Sequence, residues 1–339
     1  MKKLPLFLCL LAACTPADTP PEAVADAAAT PPPAAPVQLS QLVGEYVNGA
    51  DTMSLLEEGG DLVLLFWGGE RHGLVASTDG TFTMGSETVA ATRGNGGRPI
   101  SVSVADRQFT RLALGPEDGG TFQITPIRAP DELRAEALSA SPPDEEGDFL
   151  DSDLVELVTL DPSIALDIRY ASTNNFMGEV FYSAPRAFLQ RPAAEGLVRA
   201  HQGLAKYGYG LLIHDGYRPW YVTKMFWEAT PEELRIFVAD PASGSRHNRG
   251  AAVDLTLFDL ATGRPLTMTG GYDEMSPRSF PEYPGGTTLQ RWHRELLRDA
   301  MEAQGFTVYE AEWWHFDYGD WRSYRIGNAR FEDLGLAAR

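Results

Sequence analysis

The sequence predicts an α+β domain in its second half, a mixed or antiparallel sheet with flanking helices, preceded by a small all-β meander or barrel. Three observations predict it. From about residue 38 to 128, short apolar or alternating runs are separated by Gly-Gly, Asp-Gly and Asn-Gly pairs, the texture of antiparallel hairpins. From about residue 150 onward, helical periodicity alternates with short apolar strands. Between them, residues 129–149 carry Ser-Pro-Pro and an acidic cluster at Asp144 to Glu146, which reads as a linker.

The chain has 339 residues, 43% of them hydrophobic, so each half can bury a core of its own. Asp and Glu number 47 against 28 Lys and Arg, a formal charge of −19, which excludes a nucleic-acid partner and polybasic docking to an anionic membrane. No apolar run approaches the ~20 residues needed to span a bilayer. Cys9 and Cys14 are the only cysteines, so a disulfide framework is excluded. Lys2 and Lys3 followed by the apolar stretch Leu4 to Ala13 read as a secretory signal, residues 1–13. Its end, Leu11-Ala12-Ala13-Cys14, resembles the bacterial lipobox, which implies cleavage before Cys14 and a lipid on that residue. With Thr15 rather than Asp next, the resemblance points to the outer membrane, facing the periplasm. Residues 14–37 form a tether: seven Pro and eight Ala between Thr15 and Pro36 leave nothing bulky to bury.

In the β-domain the expected strands are Met53 to Leu56, Leu62 to Trp67, Gly73 to Ser77, Thr81 to Met84, Ile100 to Val104, Phe109 to Leu112 and Thr121 to Ile127. Val43-Gly44-Glu45-Tyr46 and Glu57 to Leu62 resemble small β-domains appended to some periplasmic proteins of serine-hydrolase type. His72 stands alone there and reads as a surface residue; contact with the cell wall is the role such an added domain suggests. In the second half, Pro192 opens a helix with Leu197, Val198, His201 and Leu204 on one face, and Gly208 ends it. Leu211 to Ile213 is a short strand, and Pro219 stands where a helix can start. Gln290 to Gln304 is a second helix, with strands at Ala252 to Leu257 and around Phe306 to Phe316.

Of the six histidines, His201 and His293 sit at core-facing helical positions and read as structural, while His214, before Asp215, is retained as a candidate ligand. His247 and His315 each lie in a dense polar cluster. In a strand from Ala252, the residues Ala252, Asp254 and Thr256 share one face and Val253, Leu255 and Leu257 the other. Fully extended, His247 would stand ~23 Å from Asp254. Both can meet one ion only if the chain doubles back, which Gly244 and Gly250 permit. His247, Asp254 and His315 make a nitrogen and carboxylate set of the kind a catalytic zinc uses, three protein ligands with a fourth position for water. Glu312 is placed to act as base on that water. In a regular strand, however, Glu312 and His315 point to opposite faces, so a bulge or helical turn is required; otherwise the pair is a buried ion pair beside aromatic core. Arg218, in Asp215-Gly216-Tyr217-Arg218-Pro219, can contact a developing oxyanion or simply pair with Asp215.

Ser-x-His-x-x-Gly-x-Ala-x-Asp from Ser245, Glu-x-x-His from Glu312 and the Tyr-Arg-Pro turn together resemble the zinc D-alanyl-D-alanine dipeptidases, peptidase family M15, including those of vancomycin resistance. The resemblance covers residues 150–339 up to about 325 and includes Asp167-Ile168-Arg169-Tyr170-Ala171 and Asn175-Phe176-Met177-Gly178. It implies one Zn2+ per chain on His247, Asp254 and His315, Glu312 as base and Arg218 as oxyanion stabiliser. It further implies that Asp273 receives the dipeptide ammonium and that Ser245 contacts substrate. Arg246, where the family often has a small residue, and Thr269-Gly270-Gly271 depart from the pattern. The function so implied is hydrolysis of small D,D-dipeptides to D-alanine in peptidoglycan turnover. The alternatives are a D,D- or L,D-carboxypeptidase or endopeptidase trimming stem peptides, and a zinc-bearing wall-binding module without activity.

Overall fold

In the computed structural model, residues 30–116 and 120–334 are described. The signal segment, Cys14 and the tether up to residue 29 lie outside the described residues. A single turn of helix, α1 (Val37–Ser40), leads into eight antiparallel strands: β1 (Gly44–Asn48), β2 (Asp51–Glu58), β3 (Asp61–Phe66), β4 (Arg71–Ala76), β5 (Phe82–Met84), β6 (Glu87–Arg93), β7 (Pro99–Val104) and β8 (Arg107–Leu112). Each pairs with the next, and β1 closes on β8 (Tyr46 opposite Arg111), so the sheet is a closed barrel. The inward positions of alternating strands fill it: Tyr46, Met53, Leu55, Leu64, Val102 and Phe109 are buried. His72 lies half-buried on β4, edge-on to Phe66.

Thr121 to Ile127, expected as a strand of the barrel, is not one. It runs extended over the second half of the chain, with Ile124 N donating to Phe176 O and Ile127 N to Ala229 O, single bonds outside any ladder. The expected linker also holds a helix, α2 (Pro130–Ser139), with Pro130 at its first turn beside Asp131 and Glu132. Leu133 and Ala137 of α2 are fully buried, which makes this segment part of the core rather than a spacer.

The second half is built on a five-stranded sheet in the order β10 (Ala165–Leu166), β12 (Tyr209–Asp215), β13 (Ala252–Asp259), β15 (Glu312–Tyr318), β14 (Phe306–Tyr309). Only β10 and β12 run parallel; the rest are antiparallel. A two-stranded ribbon joins β9 (Leu154–Glu156), which leads into the short α3 (Leu157–Leu160), to β11 (Phe188–Gln190). Against the sheet lie α4 (Arg191–Leu204) and α6 (Thr288–Glu302), while α5 (Trp220–Ala229) follows the turn after β12. Leu197, Ala200 and Leu204 of α4 and Leu297 and Met301 of α6 are buried, as the 3.6-residue spacing requires. A reciprocal capping box, Thr287 with Gln290, fixes the start of α6. His201 is structural, its Nδ1 accepting from Leu211 N at 3.0 Å, and His293 packs edge-on to Tyr209. No described helix is long and apolar enough to cross a membrane.

Candidate active site

Three central strands carry the site in one row. Asp215 on β12 stands opposite Asp254 on β13, and Asp254 opposite His315 on β15. The row exists because β12 bulges: Ile213 pairs with Leu255 and Asp215 with Asp254, leaving His214 as the extra residue. His214 is thereby taken away from the row. It packs against Tyr272, with ring centroids 4.6 Å apart and planes tilted by 35°, and its Nδ1 lies 3.3 Å from Asp167 O. It is not part of the His/Asp cluster.

His247 reaches the row by the doubling back that the sequence demands. A turn of 3-10 helix, His247–Arg249, is followed by Gly250 at φ 68°, a left-handed conformation that glycine takes without strain. Asn248 pins the turn by donating to Arg218 O (2.7 Å) and accepting from Ser245 N (2.7 Å). His247 Nε2 thus comes within 3.2 Å of Asp254 Oδ1, and His315 Nδ1 within 3.1 Å of the same oxygen. The two ring nitrogens are 3.0 Å apart.

The outer bonds of these rings determine what faces inward. His247 Nδ1 is 2.8 Å from Gly216 O, a carbonyl that only accepts, so this nitrogen carries the hydrogen. His315 Nε2 donates to Asp317 Oδ1 at 2.9 Å. In neutral rings both inner nitrogens are then lone pairs, aimed at each other and at Asp254 Oδ1. That oxygen is buried and accepts no hydrogen bond. Three acceptors converging within about 3 Å are mutually repulsive unless a cation lies among them, and two imidazoles with one carboxylate suit zinc. Without a metal a proton takes that place: burial would lower His315, but Asp317 and Asp254 outweigh it and push it up to about 10, so the ring holds the proton that a bound ion would displace. Asp254, raised by burial, is carried well below the usual carboxylate range by the two imidazoles.

Glu312 Oε2 lies 3.7 Å from His315 Nδ1, on the same side of β15. The required irregularity is a bulge: Val308 pairs with Phe316 but Tyr309 with Glu312, so residues 313–315 of β15 have no partner on β14. Burial pushes the Glu312 carboxyl up to about 8, against the lowering influence of His315. Arg218 donates from Nε to Asp215 Oδ2 at 2.9 Å, and its Nη2 stands 3.7 Å from Asp254 Oδ2. Arg218 thus pairs with Asp215 and at the same time faces the cluster. Burial would lower its pKa, yet Asp215 and its neighbours keep it well above the ordinary value, so the guanidinium stays charged.

Asp273 is buried at φ 56°, strained for a residue with a Cβ. Burial, then the nearby Asp254, push its carboxyl up to about 7, and Tyr170 donates its hydroxyl to Oδ2 at 2.8 Å. Ser245 Oγ accepts from His247 N at 3.2 Å, supporting the turn. Ser245, Arg218, Asp273 and Glu312 line one cleft with the His/Asp cluster, a space of ≈ 200 Å³. Arg246 lies at this cleft, paired with Asp317 at 2.7 Å, with its guanidinium 4.8 Å over Tyr309.

Asp317, Gly216, Tyr170 and Tyr272, which donates to Asp254 Oδ2 at 2.9 Å, were not assigned from sequence. For Asp317 the signal was present: two residues beyond His315 in a strand, it shares that face.

The M15 peptidase family, described as D-ala-D-ala dipeptidase, matches residues 151–331, more than half of the chain. The chain belongs to this family. An M15 metallopeptidase of dipeptidase type is thus what the cleft serves. The D-alanyl-D-alanine dipeptidase of Escherichia coli K12 is 35% identical over 175 residues, 52% of this chain and 89% of that protein. Those of Enterococcus faecium and Streptomyces coelicolor are each 36% identical, over 168 and 188 residues, covering 44% and 50% of this chain and 83% and 91% of theirs. The M15 match contains every residue of the cleft discussed above and leaves the barrel outside it.

Proposed function

We propose that this chain hydrolyses D-alanyl-D-alanine and similar small D,D-dipeptides to free D-alanine with one zinc ion, in peptidoglycan turnover. The observation that carries the reading is the convergence of His247, Asp254 and His315, with Glu312 beside them, in a cleft of ≈ 200 Å³. That volume lies below the ~300–1,000 Å³ of sites for drug-sized ligands, which favours a dipeptide over a stem peptide. Held by His247, Asp254 and His315, zinc would supply Lewis acidity and would acidify a water towards neutrality.

The chain's own groups do the rest. The Glu312 carboxylate takes the proton of the attacking water and holds it until it passes to the leaving amine nitrogen. The Arg218 guanidinium, kept charged and oriented by Asp215, faces the carbonyl oxygen as it gains negative charge. Asp273 receives the ammonium of the dipeptide, so a blocked or extended N-terminus leaves a buried carboxylate unpaired. Ser245, on the same wall, is proposed to contact the substrate.

Metal analysis coupled to a D,D-dipeptide assay with a chelator control tests the whole reading. Turnover of a D-Ala-terminated tripeptide at a rate matching the free dipeptide would favour a carboxypeptidase instead. Asp273→Asn is expected to raise KM for the free dipeptide about 10–100-fold and to leave an N-acetylated dipeptide unaffected, measured by steady-state kinetics on both. Asp317→Asn is expected to weaken zinc binding about 10–100-fold, read by competition with a chromogenic chelator, because the His315 tautomer is no longer enforced.

For the N-terminus we propose a lipid on Cys14 and a site on the periplasmic face of the outer membrane. The lipobox-like Leu11-Ala12-Ala13-Cys14 and the Pro/Ala-rich segment after it support this. Cys14→Ala should release the chain from the membrane fraction, and an unchanged fractionation would count against the anchor.

A further inference from the structure

The barrel takes no part in the reaction above, yet it is bonded to the segment that carries Asp273. Glu57, at the end of β2, is 2% exposed and sits on the N-terminus of α6. Its Oε2 accepts from Thr288 N at 2.9 Å and its Oε1 from Gly60 N at 2.6 Å. Its backbone oxygen accepts from Arg291 Nη2 at 2.8 Å, and its N donates to Gly286 O at 3.2 Å. Glu45, on β1 and equally buried, accepts from the Tyr283 hydroxyl. Beyond β8, Gly115 lies so close to Glu274 that a Cβ there would stand 2.7 Å from the carboxylate.

Glu274 directly follows Asp273 and gathers the loop around itself. It accepts from Gly271 N at 3.0 Å, Ser276 Oγ at 2.5 Å and Arg278 Nε at 2.6 Å. The barrel thus holds the chain at Tyr283 and at Gly286 to Thr288, while Gly115 beyond it packs against Glu274. Asp273 itself keeps a left-handed backbone, a conformation that persists only where its surroundings over-determine it. The match to the Escherichia coli relative leaves about a tenth of that protein outside it, too little for a barrel spanning Gly44 to Leu112. These contacts are therefore an addition to what that relative has.

We infer that the barrel is a clamp on the substrate loop: Glu45 and Glu57 are positioning residues that fix residues 274–288, and through them the Asp273 carboxylate, so that capture of the dipeptide ammonium depends on the barrel. The inference rests on the role proposed for Asp273. Without Glu57, the Thr288 amide is left without its carboxylate partner in a buried interface, and a loop deprived of such bonds opens more readily.

The test uses the full-length, zinc-loaded chain with Glu57→Ala, Glu57→Gln and Tyr283→Phe. Hydrogen exchange of residues 269–287 is followed beside zinc content and kcat and KM on free and N-acetylated D-alanyl-D-alanine. In Glu57→Ala, exchange of the loop and KM for the free dipeptide are each expected to rise about tenfold, with kcat and zinc content held, as one buried partner is lost. Glu57→Gln, which keeps an acceptor oxygen, should recover most of both. Unchanged loop exchange in Glu57→Ala and in Tyr283→Phe would overturn the clamp. Faster exchange with an unchanged KM and an unchanged preference for the free amine would overturn it too, because capture would then not depend on the barrel; the role of Asp273 itself is decided separately by Asp273→Asn. Should Glu57→Ala fail to fold, Tyr283→Phe, which removes one oxygen atom, decides on the same readouts.

Discussion

Replacing Glu312 by glutamine is expected to lower kcat on D-alanyl-D-alanine by ~10²–10⁴-fold while the chain retains its zinc. Glutamine has the same shape but cannot take a proton from water or carry one to the amine. Glu312 stands 3.7 Å from His315 and outside the His/Asp cluster, so the proposed metal ligands remain intact. The side chain is buried, and burial is what raises its proton affinity. Steady-state kinetics and metal analysis of the same preparation check both halves. Turnover within a few-fold of the parent, or zinc lost along with it, would remove Glu312 from the role of base.

The second large effect is expected from His315→Ala, which should lose both the metal and the turnover. With His315 gone, Asp254 Oδ1 and His247 Nε2 are the remaining pair of the cluster, too few to hold zinc as a catalytic site holds it. The cost extends beyond the metal. Asp317, which accepts from His315, and Asp254, which faces it, would both be left as buried carboxylates short of a partner. Breaking a buried charged arrangement in this way costs about 3–5 kcal/mol, so the thermal midpoint should fall by about 10 °C. Scanning calorimetry and metal analysis measure the two consequences separately. A full zinc complement in this variant would contradict ligation by His315.

Much of the site was legible because its signals are local. The alternation around Asp254 placed it on a small-residue face, and Gly250 with Gly244 permitted the reversal that brings His247 back. What escaped was set by pairing between distant strands. The bulge that puts Asp215 in the row and turns His214 out of it depends on the register of β12 against β13, which no stretch of either strand encodes alone. The same holds for the bulge beside Glu312: the sequence demanded an irregularity, and only the β14–β15 pairing says which. Barrel closure, through β1 on β8, joins residues about sixty apart and was open between meander and barrel. The helix α2 is a different case. Its Pro130-Asp131-Glu132 start is a local signal, overshadowed by the Ser-Pro-Pro that follows it.

The size of the cleft bears on the safety of the cell that makes this chain. On the reaction proposed above, a pocket of ≈ 200 Å³ with a buried carboxylate in its wall would admit a loose fragment bearing a free amine. In a strand of the polymeric mesh that such fragments come from, that amine is tied up in a peptide bond and the carboxylate would go unpaired. Overproduction should therefore deplete the fragment pool without thinning the envelope or lysing the cell, an immunity that resides in the pocket and needs no inhibitor.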